Sequence, residues 1–160
     1  MFRKLFATVS ILALAAFFVP SPALSDSVEY SAKNELVQVT SRQSFDNTVA
    51  KLKKLISKNG MMVMGEVNQG KIMSMTGTSL KAVSLFVGSP MVGKKLFNEN
   101  VGSAVAAPFR VTVYKAKNGE IIISYYKPSH LLAAFDGEKI SKIAQMLDKK
   151  LAMLTDNAGK

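Results

Sequence analysis

A chain of 160 residues, 48% hydrophobic and 20% charged, suffices for one domain with a packed core. It is too short for two domains of ordinary size and too apolar for a disordered chain. Having no cysteine, it has no disulfide, thiolate metal site, cysteine nucleophile or lipidated-cysteine anchor, and its 21 Lys and Arg against 11 Asp and Glu make it strongly basic.

The first segment reads as a targeting signal rather than as part of a fold. Met1-Phe2-Arg3-Lys4 is a basic start, Leu5 to Val19 is apolar, and Pro20 to Ser25 ends in Ala23-Leu24-Ser25. This order is that of a secretory signal peptide, with cleavage expected after Ser25. The alternative of a retained anchor helix needs roughly 20 apolar residues, more than this run supplies, and no later segment approaches that length. The expected organisation is a signal peptide over residues 1–25, a polar lead over 26–34 and a single domain over 35–156. The product is expected to be periplasmic or secreted, without a membrane span after cleavage. In such a compartment nucleic acid is not an expected partner. An anionic small molecule or envelope component suits the positive charge, while lysines that merely keep a small domain soluble are the plainer reading.

Leu36-Val37-Gln38-Val39-Thr40 alternates apolar and polar residues and predicts a strand. Ser44 then offers an N-cap hydroxyl, and Phe45, Val49, Leu52, Leu55 and Ile56 recur at helical spacing until Asn59-Gly60 ends the helix. Its other face carries Lys51, Lys54 and Lys58, a stripe that reads as solvated. Met61 to Val67 predicts a second strand, apolar on both faces at its start and so expected inside a sheet. Asn68 to Leu80 reads as a polar loop. Ala82 to Val87 predicts a third strand that runs into Gly88-Ser89-Pro90, where the chain must turn. Val92 to Phe97 suits one or two helical turns, and Asn98 to Pro108 reads as a long surface or lid connection. Phe109 to Tyr114 and Ile121 to Tyr126 flank Lys117-Asn118-Gly119, a strong hairpin signal. Pro128 stops the second strand of the hairpin. After Asp136-Gly137-Glu138, a final helix aligns Ile140, Ile143, Ala144, Leu147, Leu151 and Leu154. The order predicts an α+β two-layer sandwich with a mostly antiparallel sheet and two amphipathic helices on one face.

Few residues carry chemistry. His130 is the one histidine, with no carboxylate close before it in sequence, so a Ser-His-Asp relay is not visible and a general-base role is a secondary reading. Gly88-Ser89-Pro90-Met91-Val92-Gly93-Lys94-Lys95 fits the first seven positions of a phosphate loop. The eighth fails, because Lys95 stands where a magnesium-binding hydroxyl is required. A weaker reading is a small anion held by glycine-freed backbone amides with Lys94 and Lys95 beside them; the ligand pocket as a whole is expected at Gly88, Pro90, Gly93 and Lys94 with Tyr126 and His130 from the hairpin end. A tight strand-to-helix turn is the plainer account of the glycines. Met62, Met64, Met73 and Met75 form Met-x-Met pairs whose thioethers suit Cu(I) or Ag(I), against the plainer reading of core filling.

Phe86-Val87-Gly88-Ser89-Pro90-Met91-Val92-Gly93 resembles the Phe-Gly-x-Pro-x-x-Gly signature of the domain of unknown function 302 family. The helix start at Ser44 to Val49, the strand start at Ala107 to Val111, and Gly119 to Pro128 agree in order and spacing. The resemblance implies a compact α+β domain, commonly a homodimer in bacteria and archaea, with no established activity, and the sequence assigns no cofactor. Two departures mark this chain: Asn68-Gln69 replaces an Asp-His pair frequent in the family, and Val87 takes the position of the first signature glycine. The leading expectation is a non-enzymatic exported binding or accessory module, a homodimer, with its pocket between the Gly88-to-Gly93 turn, the Asn98-to-Pro108 connection and the hairpin end at Tyr125 to His130. A methionine soft-metal carrier and an enzyme using His130 are the alternatives.

Overall fold

The computed structural model describes residues 35–160; the expected signal segment and polar lead lie outside them. The alternating stretch forms β1 (Leu36–Ser41), and the capped amphipathic stretch forms α1 (Phe45–Lys58), whose first turn donates from the Asn47 amide to the Ser44 hydroxyl at 3.3 Å. There follow β2 (Met62–Asn68), α2 (Gln69–Ser74), β3 (Ala82–Gly88), α3 (Pro90–Glu99), a 3-10 turn (Val101–Val105), β4 (Phe109–Lys115), β5 (Ile121–Tyr126), α4 (Pro128–Leu131) and α5 (Glu138–Gly159). The strands form one sheet in the order β1-β5-β4-β3-β2, and every neighbouring pair is antiparallel. The α+β expectation therefore holds.

Period-two alternation gives the sheet a core side. Val83, Leu85 and Val87 of β3, Phe109, Val111 and Val113 of β4, and Ile121, Ile123 and Tyr125 of β5 are buried in one cluster. Against them lie Leu52 and Ile56 of α1 with Ile140, Ala144, Leu147, Leu151 and Leu154 of α5, the stripes read from the sequence. Each such aliphatic side chain removed from water contributes about 1.5–3 kcal/mol, offset by the entropy of ordering it. The β4–β5 hairpin closes through Ala116 N–H donating to the Glu120 carbonyl at 2.8 Å. Gly119 adopts a φ of +93° in that turn, which a side chain would strain.

Three expectations are corrected. First, β2 is an edge strand and not an interior one. Its apolar start misleads because only Met61 is buried there, while Met62 and Met64 are half exposed. A bulge at Met64 shifts the register between Val63, opposite Val87, and Gly65, opposite Phe86. The shift places Glu66 opposite Leu85, on the side where Lys53 of α1 reaches its carboxylate at 2.5 Å. Second, the supposed loop after β2 begins with α2, which lacks an apolar stripe but is started by the Asn68 side chain accepting from the Lys71 amide at 2.8 Å. Third, the long connection is largely helical. Pro90 takes the first position of α3, where its missing N–H has no cost, and the 3-10 turn follows after Asn100. At the far end, α5 continues past Leu154, and its Gly159 carbonyl accepts from the Arg42 amide at 2.8 Å.

Candidate functional site

Where β3 ends, the chain cannot continue as ladder. Gly88 is its last residue, Ser89 is extended, and Pro90 starts α3 without any side-chain cap. A Cβ on Gly88 would stand 2.9 Å from both Sδ and Cε of Met64 and 3.5 Å from Pro108. The bare glycine thus lets the bulged methionine of β2 and the proline before β4 close in over the strand end. On the other side α3 buries Leu96, and Lys139 at the start of α5 pairs with Glu99 at 2.9 Å, holding α3 beside α5. The 3-10 turn is pinned from within: the Asn100 side chain accepts from the Gly102 amide at 2.8 Å, and the buried Ser103 hydroxyl donates to the Asn100 carbonyl at 2.7 Å. This presents Ala104 and Ala107 toward α3.

Between these pieces lies a cavity of about 540 Å³, within the ~300–1,000 Å³ range of small-molecule sites. Its floor is Met61, Phe109 and Leu147, and its walls are Gly88, Pro90, Val92, Gly93 and Leu96 on one side and Ala104, Ala107 and Pro108 on the other. Met64 and Phe97 also line it, and both are partly open to solvent. Among the described residues that line it, only Ser89 and Lys94 have polar side chains. Such a surface takes up apolar groups and offers one cation to whatever polar end stays outside.

The residues expected to form a site fall into separate groups. Gly88, Pro90, Gly93 and Lys94 come together at the cavity. Tyr126 and His130 do not line it. Their rings stack on each other, centroids 6.3 Å apart and planes 28° apart, and Tyr126 pairs with Leu36 of β1, two strands away from β3. The methionines divide as well. Met62 and Met64 stand at the start of β2, Met64 turned over Gly88, whereas Met73 and Met75 follow the far end of that strand in α2 and just after it, Met75 being 86% exposed. The four sulfurs therefore do not make one ligand set. Among the described residues, no group of three or more His, Asp or Glu side chains is placed to hold a metal, and no helix is long and apolar enough to cross a membrane.

The family model described as "Domain of unknown function DUF302" matches residues 37–158. The chain belongs to the DUF302 family. A crystal structure of an uncharacterized conserved DUF302 protein from Bacillus stearothermophilus shares the fold, with a TM-score of 0.72 and 22% identity over 79% of this chain and 98% of that one. No curated protein matches the chain. Within this DUF302 domain, the signature stretch Phe86 to Gly93 supplies the strand end and the first turn of α3 around the cavity.

The two stretches expected to border the pocket, Gly88 to Gly93 and Asn98 to Pro108, do face each other across the DUF302 cavity, and what the sequence did not show is its apolar floor and the helix side of α3. Met61, Leu96, Phe97, Phe109 and Leu147 are apolar, and an apolar residue facing a void has the same sequence signature as one facing the core. The usable signal was indirect: glycine, proline and alanine concentrated between Gly88 and Pro108, residues too small to fill the space between two helices and a sheet end. Also missed was a chain of hydroxyl and amide groups off the cavity, in which Gln69 Nε2 donates to Ser84 Oγ at 2.6 Å and Ser84 meets Thr112 at 2.7 Å.

Proposed function

We propose that this DUF302 domain is a non-enzymatic binding module that takes a small, largely apolar molecule into the cavity between α3, the 3-10 turn and the end of β3. The single observation that carries this reading is the cavity of about 540 Å³ in which, among the described residues that line it, only Ser89 and Lys94 have polar side chains. A cavity of about 150 Å³ with such walls already accommodates benzene in a small protein, so the space here admits a ligand several times larger. The basic, apolar and then small-residue order of the first 25 residues supports export of the module.

The neutral probe N-phenyl-1-naphthylamine, which fluoresces when it leaves water for an apolar site, tests the proposal. Ala104 is exposed on the 3-10 turn yet lines the cavity, so Ala104→Phe fills the space without loading the core. Saturable enhancement in the wild type is expected, with at least a tenfold weaker response in a variant that melts normally. An equal response in both would overturn the placement.

A further inference from the structure

We infer that the molecule taken by this cavity is a single-chain anionic amphiphile, with an aliphatic tail inside and the negatively charged head against Lys94. This rests on the reading of the cavity as a small-molecule site and adds the ligand's class and orientation.

Three features of the cavity fix that class. The tail requirement follows from the walls, because a polar group carried inward would lose its water and find almost no partner there. The head requirement follows from the rim. Lys94 is exposed and lines the cavity, and, like most lysines among the described residues, it makes no ion pair with another described residue; its place at the cavity is what sets it apart. Among the described residues no Asp or Glu lines the cavity, so nothing there repels an anion or attracts a cation. The chain's formal net charge of +10 at pH 7 draws anions toward the molecule as a whole. Lys95, next in sequence, belongs to a different depression beside Lys139 and Lys142, so one ammonium rather than a cluster serves the head. One cation at the edge of one apolar space matches one negative charge on one tail.

The exposed apolar side chains agree with a ligand that enters tail first. Met91 and Phe97 on α3 and Val101 and Val105 on the 3-10 turn are all exposed, the two valines 76% and 86% so. They put exposed apolar surface on α3 and the 3-10 turn, the two segments that frame the cavity, although of the four only Phe97 lines it.

The test uses decanoate and 1-decanol below their aggregation concentrations, each displacing N-phenyl-1-naphthylamine from the full chain and from Lys94→Gln, Lys94→Arg and Lys95→Gln. Decanoate is expected to bind about fivefold more tightly than the alcohol at low salt, as an exposed ion pair allows, and the preference should shrink as salt rises. Lys94→Gln should abolish the preference by weakening decanoate about fivefold more than 1-decanol, Lys94→Arg should keep it, and Lys95→Gln should not alter it. Equal binding of acid and alcohol, or a preference that survives Lys94→Gln, overturns the inference while leaving the cavity reading intact. Failure of both compounds to displace the probe removes the cavity reading itself. Capture of the protein by phosphatidylglycerol vesicles with no decanoate bound in free solution also overturns it, since the charge would then be serving a membrane surface.

Discussion

Tyr125 shows how one side chain ties the core to solution conditions. It lies on the helix-covered side of β5, opposite Val37 and Val111, and is buried. Burial pushes its phenol above the ordinary value of 10.0; the Thr155 hydroxyl works against this by favouring the ionised form, and Asp156 and Asp148 add to the rise. Because the folded state holds the proton more tightly than the unfolded state, the associated stability is complete below pH 10 and is lost as pH climbs through the folded value. Urea unfolding of the wild type should therefore weaken above pH 10 more steeply than that of Tyr125→Phe, and parallel pH profiles would show that the phenol is not the cause. At this scale the sequence was informative where a residue type has a special geometry or charge. Gly88, Pro90, Gly93 and Lys94 were singled out and do meet at one place. Tyr126 and His130 were grouped with them because they are polar and close to a strand end, but chain position does not say which flank of a sheet that end occupies.

Elements were legible in proportion to their periodicity. The stripes of α1 and α5 and the Asn-Gly hairpin each follow from a local rule, and each lies where that rule puts it. Local rules also make their strength testable. Ser44→Ala removes the oxygen that accepts from the Asn47 amide, and it should lower the unfolding free energy by about 0.5–1 kcal/mol with no change in probe binding. A loss well above that range in a denaturant titration would mean that Ser44 does more than cap. What was not legible was non-local or aperiodic. Nothing in Leu36 to Ser41 announces that β1 pairs with β5 rather than with the strand next in sequence. The bulge at Met64, which reverses the facing of Glu66, had one local signal, the isolated Gly65 inside the strand, and that alone does not say which residue bulges. Such choices are made by which apolar faces the whole sheet must bury.

For the whole molecule, the central consequence is that the Gly88-to-Gly93 stretch works as a building constraint on a cavity. β3 must stop at Gly88, α3 must begin at Pro90, and the 3-10 turn must fold back over them through Asn100 and Ser103. α1 and α5 close the core beneath the sheet, while the small residues of α3 and the 3-10 turn leave space at the sheet's end. The most direct test is a two-dimensional amide NMR titration of the protein with 1-decanol, whose lack of charge isolates the cavity from any effect of Lys94. The account expects saturable shifts concentrated at Gly88, Gly93, Ala104 and Ala107, with Tyr126, His130 and the lysine face of α1 unmoved. Shifts centred on Tyr126 and His130, or none anywhere, would contradict it.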